Sequence, residues 1–448
     1  MSGESHIGSN GPCRQCLTPS RSKLRFAKYQ LLPQVIFNSG NTLSIEQSGQ
    51  SDDHRGGREL HVSGRVDVCS NKLHALFGQV EIELASDDKR LTAASMIKID
   101  KQSVAIITPF AADWWDEEGL GPCITIHISI YAPFAGELSA LFLNVANLDV
   151  LFTEDLSLFP ANRTTIITTS GNVYAPLTRR NPSDTAPYDL RSREICIHTL
   201  SGNVDGWFPL HHLLKIGTAS GNVFIEVGLG SNVPDSTTHA KLSVRTTSGK
   251  LVISTPEIFH MTERRISERR PPARDYVVKL VTLSGNIEAK VVMASRATFR
   301  STSGDIRVDA IPMPFSPSRD GKSHLETNTR SGRTEVFVLD TRLVHCADHT
   351  SLMTMGFEAT NTSFGLATLQ SNHQSLSGNM KLHYAKSWTG DFSGETISGK
   401  ILVGGRDIKI NSPCPREAKM SGGSTGEGAA SIRMGSNSGD LALYIGEM

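Results

Sequence analysis

Along the last two-thirds of the chain, apolar residues recur at every second position in short runs, and each run closes at a serine followed by glycine before the next opens. Alternation of period two puts one side of a run in a core and the other in water, so it predicts strands. Ten pairs keep this phase: Ser170-Gly171, Ser201-Gly202, Ser220-Gly221, Ser248-Gly249, Ser284-Gly285, Ser303-Gly304, Ser331-Gly332, Ser377-Gly378, Ser398-Gly399 and Ser438-Gly439. The second residue after each glycine is Val173, Val204, Val223, Leu251, Ile287, Ile306, Thr334, Met380, Ile401 or Leu441, apolar with one exception. The fifth residue before it is Ile166, Ile197, Ile216, Val244, Leu280, Phe299, Thr327, His373, Gly394 or Met434, again mostly apolar. Two further pairs, Ser393-Gly394 and Ser421-Gly422, fall out of phase.

Apolar positions lie at minus seven and minus five before the glycine and at plus two, plus four and plus six after it. The step across the pair is odd, which an unbroken strand cannot accommodate, so a corner is required. Glycine tolerates the positive φ that such a corner needs, and left-handed backbone is the expectation at these positions. Three residues before every glycine stands a hydroxyl: Thr168, Thr199, Thr218, Thr246, Thr282, Ser301, Thr329, Ser375, Thr396 or Ser436. These can satisfy backbone groups left over by the turn, or bond from one repeat to the next. Directly after the glycine come Asn172, Asn203, Asn222, Asn286, Asn379, Asp305 and Asp440, which suit a corner by local hydrogen bonding. Lys250, Arg333 and Lys400 depart from that preference.

The shortest interval between successive glycines, Gly202 to Gly221, is 19 residues. About two strands of six residues and two corners fill it, which predicts an all-β fold: a β-solenoid of two facing sheets built from Ser-Gly-cornered repeats. Gly202, Gly221 and Gly249 recur as Gly285, Gly304 and Gly332 at a uniform shift of 83 residues, the mark of a duplicated block of three rungs. Residues 179–191, 228–239, 255–274, 311–322 and 404–430 read as loops inserted at the corners. The expected organisation is a poorly ordered tail over 1–58, an irregular β region over 59–123 in which Ser63-Gly64 imitates the repeat, and the solenoid over 124–448. The last unit, 431–445, is expected to be the end rung, with no visible cap.

Composition narrows the function. Only 38% of the 448 residues are hydrophobic and 6% aromatic, as suits a long, thin core of small aliphatics. Lys plus Arg and Asp plus Glu both total 45, so net charge gives no case for nucleic acid or an anionic membrane as partner. No run approaches the length of a membrane span, and the N-terminus lacks the apolar stretch of a secretory signal. The seven cysteines follow no framework of spacings, which favours a reduced compartment. A cytoplasmic location is therefore expected over a secreted one, and the sequons at Asn162 and Asn361 would matter only on the secretory route.

Few residues suggest chemistry. Cys13 and Cys16 form a CxxC, but no second pair accompanies it and only His6 and His54 flank it, so no metal site is assigned. His211-His212 reads as corner structure. Trp114 and Trp115, set among Asp113, Asp116, Glu117 and Glu118, read as a plug for one end of the coil, with a sugar contact as the alternative. The loop carrying Arg264, Arg265, Arg269, Arg270 and Arg274 is partly neutralised by Glu263, Glu268 and Asp275; within it Ser267 has the basic flank of a kinase substrate. Asp205, Glu226, Glu288, Arg307 and Glu335 face outward and read as dispersed charges on a solvated sheet. No Gly-x-Ser-x-Gly elbow accompanies the ten phased Ser-Gly pairs to make their serines nucleophiles. Neither catalytic, cofactor-binding nor metal-binding residues are assigned.

Alternating segments punctuated by Ser-Gly-Asn-Val at 170, 201 and 220, Ser-Gly-Asn-Ile at 284, Ser-Gly-Asp-Ile at 303 and Ser-Gly-Asp-Leu at 438 resemble the putative adhesin domain, closest to its fungal members, over residues 124–445. The resemblance implies a repetitive β-stack without assigned catalytic residues. The expectation is a non-enzymatic scaffold or recognition protein, with protein or glycan surfaces as partner classes. A carbohydrate-binding or carbohydrate-cleaving β-helical protein is the alternative.

Overall fold

The computed structural model describes residues 35–37, 40–50, 58–71, 78–86, 89–109, 111–112, 123–133, 137–177, 187–229, 239–256, 274–313, 322–340, 364–405, 408–414, 419–424 and 429–446. Its strands form a front sheet of 15, a back sheet of 17 and one two-stranded pair, interrupted by the short helices Lys89–Ala94 and Phe364–Ala367. The chain changes sheet at each corner. Glu194–Thr199 lies in the back sheet, Val204–Pro209 follows Gly202 in the front sheet, Leu213–Gly217 returns to the back, and Val223–Gly228 follows Gly221 to the front. Each strand pairs in parallel with the strand one circuit later, so Val150, Val173, Val204, Val223, Leu251, Ile287, Ile306, Thr334, Met380 and Leu441 lie side by side. The fold is all-β, a coil of two sheets, and each rung is named below by its corner glycine.

The inner positions of both sheets fill one continuous apolar core. In the Gly221 rung these are Leu214, Ile216, Val223, Ile225 and Val227; in the Gly304 rung they are Ala297, Phe299, Ile306, Val308 and Ala310. Burying a Val, Leu or Ile side chain is worth about 1.5–3 kcal/mol, so every rung adds its own increment. The parity change stands out at the Gly202 corner: Thr199 is buried, Leu200 and Ser201 are exposed, and Gly202 and Val204 are buried again.

The corner differs from the sequence expectation in its physical cause. None of the ten repeat glycines has positive φ; among the described glycines that value belongs to Gly40, Gly64, Gly206, Gly390, Gly405 and Gly446. What excludes a side chain is the rung beneath. A Cβ on Gly221 would overlap the carbonyl oxygen of Gly202, one on Gly249 that of Gly221, and the relation repeats up the stack through Gly285, Gly304, Gly332 and Gly378. Backbones approach here as closely as a residue without Cβ allows.

The hydroxyl column completes the corner. The backbone N–H of Gly202, Gly221, Gly249, Gly285 and Gly304 donates to the hydroxyl three residues earlier at 2.7 to 3.0 Å. Gly332, Gly378, Gly399 and Gly439 repeat the bond at 2.8 to 3.1 Å, whereas the Thr168 hydroxyl donates instead to the Gly171 carbonyl. A second ladder runs beside it. The side-chain oxygen of Asn172 accepts from the backbone N–H of Asn203, that of Asn203 from Asn222, and that of Asn222 from Lys250. Asn286 to Asp305, Asp305 to Arg333, Asn379 to Asp440 and Asp440 to Lys400 follow the same rule. A lysine or arginine offers no acceptor, so the ladder restarts after each one.

Both ends revise the expected organisation. Thr42–Gln50 lies inside the back sheet, paired in parallel with Glu137–Val145 on one side and Ser103–Pro109 on the other. His61–Asn71 lies inside the front sheet between Cys123–Pro133 and Asp149–Phe152. The tail expected over 1–58 thus contains a rung strand, and the region expected to be irregular over 59–123 contributes His61–Asn71 and Ser103–Pro109 to the coil. Gly64 takes the repeat position, two residues before Val66, which pairs with Val150. At the other end, Ala430–Ser436 inserts between Leu369–Ser375 and Gly390–Thr396, while Leu441–Ile445 inserts between Met380–Tyr384 and Ile401–Gly405. The last unit in sequence is therefore the penultimate rung, not the end rung.

Antiparallel strands cover both edges at the near end and the back-sheet edge at the far end, while the front sheet ends on the parallel strand Ile401–Gly405. Gly78–Ser86 pairs antiparallel with Cys123–Pro133, and Met96–Asp100 with Ser103–Pro109. The helix Lys89–Ala94 joins these two strands and buries Leu91. At the far end Lys419–Ser424 pairs antiparallel with Gly390–Thr396, and Ile408–Cys414 pairs with it in turn.

The corner geometry makes a direct prediction. Gly221→Ala must displace the Gly202 carbonyl or its own rung, and we expect a loss of about 2–3 kcal/mol in urea denaturation, as for overpacked interiors. Exposed Ser220→Ala should change stability by less than about 0.5 kcal/mol. Equal losses would show that the close approach is not what selects glycine.

Candidate functional site

Two outer faces and one buried polar cluster carry the chemistry of the coil. On the front face, the third position after each glycine forms a row that crosses the rungs. Glu288, Arg307, Glu335 and Lys381 are successive members of it, aligned in register. The signs alternate, and Arg307 lies 3.9 Å from Glu335, Lys250 2.9 Å from Glu288 and Lys290 3.8 Å from Asp309. Of the charges expected to be dispersed, Glu288, Arg307 and Glu335 are thus aligned and paired, whereas Asp205 and Glu226 lie across from Phe224 and Trp207. Burial holds the carboxyls of Asp205 and Asp309 above the usual range, offset at Asp309 by Lys290 and Arg307.

Beyond this row Phe337, His383 and Tyr444 stack on three neighbouring rungs. Ring centroids are 4.6 and 4.9 Å apart, with planes inclined by 8° and 15°. The Arg307 guanidinium lies over the Phe337 ring and the Lys381 ammonium over Tyr444, at 5.8 and 5.7 Å. Because the rings cover one another's faces, they present edges outward, and a sugar platform needs a face.

The back face is arranged differently. Its outward residues in the Gly221, Gly249, Gly285 and Gly304 rungs are Leu213, Lys215 and Gly217; Lys241, Ser243 and Arg245; Val277, Lys279 and Val281; and Arg296, Thr298 and Arg300. Six are cationic, all six are exposed, and none of the twelve is acidic. In register, a cation never lies directly across from another: each Lys or Arg pairs with Leu, Gly, Ser, Val or Thr on the adjacent rung. The charges occupy alternate squares of a board. Glu326 on the next rung reaches Arg300 at 2.6 Å. On the preceding rung the His198 imidazole is held below its usual pKa by partial burial first, then by Lys215 and Arg163.

The buried cluster lies in the core near the far end. Thr327 and His373, exceptions in the apolar column, pair in register across adjacent rungs. The His373 Nδ1 lies 2.8 Å from the Thr327 hydroxyl and its Nε2 2.9 Å from the Tyr384 hydroxyl. All three side chains are wholly buried, and Trp388 packs against Tyr384. Burial lowers the His373 pKa to about 3 and raises that of Tyr384. The site is closed to a substrate, and its histidine is a structural group held neutral.

Arg274, read from sequence as part of a basic loop, is 4% exposed, and its guanidinium donates to the carbonyls of Leu210 and His211. Asp275 beside it is buried, bonded to His239 and accepting from the Ser295 N–H. His211 is a buried corner residue, held below its usual pKa mainly by burial. Cys69 and Cys196 are thiols outside any disulfide, Cys69 donating to the Ile130 carbonyl, and Cys123 is disulfide-bonded. Cys13, Cys16, His6, His54, residues 113–118, Arg264, Arg265, Ser267, Arg269, Arg270 and the Asn361 sequon lie outside the described residues. Among the described residues no group of His, Cys, Asp or Glu could hold a metal ion, and no helix is long and apolar enough to cross a membrane. The back-face array was missed in sequence because its members on adjacent rungs are 17 to 38 residues apart; only the register brings them together.

No family model matches the sequence, and no curated protein matches it. Among solved structures, the chain is similar to a putative cell adhesion protein from Clostridium sporogenes ATCC 15579, at 7% identity over 92% of this chain and 99% of that one, with a TM-score of 0.15. It is also similar to a putative adhesin from Parabacteroides distasonis ATCC 8503, at 9% identity over 70% and 96%, TM-score 0.22. A putative lipid binding protein from the same organism matches at 7% identity over 68% and 93%, TM-score 0.17. At these scores the likenesses carry no argument about function, and the fold rests on its own strand order.

The buried histidine has a measurable consequence. Its folded pKa lies below the unfolded value near 6.5, so protonation favours the unfolded chain. The stability tied to neutral His373 is complete above pH about 6.5 and is lost as the pH falls toward about 3. Urea denaturation across that window should show the slope of stability against pH reduced in His373→Gln by up to one proton, about 1.4 kcal/mol per pH unit. An unchanged slope would mean that His373 is not buried in its neutral form.

Proposed function

We propose that the protein is a non-enzymatic recognition scaffold whose back sheet face binds an anionic surface. One observation carries this reading: the six uniform charges of the Gly221 to Gly304 rungs, set against a front face whose charges cancel in pairs. A field of one sign on a flat surface attracts and orients a partner of the opposite sign. Stacked strands hold that field rigidly, because each cation is fixed to a ladder of parallel backbone bonds. The chemistry points away from turnover. The aligned carboxylates of the front face are bound to cations, and the buried histidine cannot meet a substrate, so neither offers the free acid and base pair that polysaccharide cleavage uses.

Two measurements test the reading together. The full-length protein should be retained on an immobilised polyanion and released by salt, as screened charge interactions are. A panel of neutral and anionic polysaccharides incubated with it should yield no hydrolysis or eliminative cleavage. Turnover of any member would sink the proposal, and so would passage through the polyanion column at low salt.

A further inference from the structure

We infer that the partner of the back face is an anionic lipid bilayer, docked flat against the cationic board; this rests on the recognition reading above. The argument is geometric. Neighbouring strands are about 4.8 Å apart and alternate residues of a strand about 6.6 Å apart. Lys215, Lys241, Arg245, Lys279, Arg296 and Arg300 therefore form a centred lattice in which each cation has its nearest like neighbour about 8 Å away along a diagonal. The pair Lys241 and Arg245 lies on the rung between Lys215 and Lys279, and Lys279 lies on the rung between that pair and the pair Arg296 and Arg300.

A lattice extended equally in two dimensions matches a planar array of charges. A single extended polyanion following one row across the rungs would meet at most every second position, since Lys215 and Lys279 are separated by Ser243, and Lys241 and Arg296 by Val277. A bilayer surface meets all six at once, at a spacing comparable with that of its headgroups. The intervening squares support this. Leu213, Val277 and Val281 are half-buried aliphatics, Gly217, Ser243 and Thr298 are small, and none rises as a charged or aromatic obstacle between the cations. Lysine and arginine stems are long enough to reach headgroup phosphates while the sheet stays outside the hydrocarbon.

The magnitude is adequate. Each Lys or Arg near an anionic membrane contributes about 1 kcal/mol, so several acting together give reversible, salt-sensitive binding without insertion. Arg300 is partly offset by Glu326.

Sedimentation of the full-length protein with large unilamellar vesicles tests the inference. Vesicles of phosphatidylcholine containing one third phosphatidylserine should carry the protein down at low ionic strength and release it when salt shortens the Debye length. Pure phosphatidylcholine vesicles should not. The double variant Lys215→Glu, Lys279→Glu should lose at least about 30-fold in partition, the equivalent of two removed charges. Lys381→Glu with Lys400→Glu makes the same change in net charge away from the back face and should retain binding; circular dichroism confirms that both variants stay folded. Equal losses in the two double variants would refute docking through this face. Retention on heparin without phosphatidylserine binding would overturn the lipid assignment while leaving anion recognition intact, and absence of both would overturn each.

Discussion

The coil depends on one contact: the Cα of each corner glycine against the carbonyl of the glycine one rung below. At Gly202, Gly221, Gly249, Gly285, Gly304, Gly332, Gly378, Gly439 and Gly399 a methyl group would occupy the position of that oxygen or collide with it. Only with side chains absent can successive corners stack at the spacing that strand pairing demands. Once they do, the hydroxyl three residues earlier is within reach of the glycine N–H, and the asparagine after the glycine is within reach of the next rung's backbone. Buried corner groups left without those partners would each cost about 1–3 kcal/mol. The contact thus sets the register, the register aligns the aliphatic columns, and the columns make the core. Glycine costs conformational entropy in the unfolded chain, and this shared geometry offsets it.

Much of this was legible in the sequence, for reasons that also mark what was not. Period two, the odd step at Ser-Gly and the unbroken hydroxyl column each follow from local geometry, so strands, corners and the two-sheet coil could be read from them. The reason for glycine could not, because positive φ and close approach select the same residue, and only coordinates separate them. Thr327 and His373 looked like faults in an apolar column. They are complementary to Tyr384, a partner that column alignment cannot reveal because it belongs to the opposite sheet. The role of residues 42–71 was hidden differently: the glycine position of the Val150 rung is Leu148, so the column carried by Gly64 is broken before the regular repeats begin.

Rung order was illegible for a topological reason. Gly378 and Gly399 are 21 residues apart, close to the minimal circuit, and read as successive. In the fold Gly439 lies between them, and the Gly399 corner packs on the Gly439 carbonyl. Because Met380, Leu441 and Ile401 keep one register, insertion of the late rung leaves the core columns continuous. The same displacement occurs at the start, where the rung of Thr42–Gln50 and His61–Asn71 lies inside that of Ser103–Pro109 and Cys123–Pro133. At both ends the outermost parallel strands come from the interior of the chain and lead directly into antiparallel cover. Parallel edges expose a ready template for pairing, and at three of the four edges an antiparallel strand from the same chain removes it, Ile401–Gly405 being the parallel strand on which the front sheet ends.

Zero net charge concealed the surface that distinguishes this molecule. Total charge is a sum over both faces, and here 45 cations balance 45 acids in a chain whose faces are not alike. On the front face opposite charges occupy adjacent rungs of one row, where close pairing lowers their energy in isolation. On the back face like charges are displaced to diagonals, which is the arrangement that tolerates a single sign at least cost when no acid is present. Random placement with equal totals would mix the two patterns. Glu288, Arg307 and Glu335 are therefore paired within the coil, whereas the six cations of the Gly221 to Gly304 rungs form a field of one sign that meets an acid at its edge, Glu326 beside Arg300.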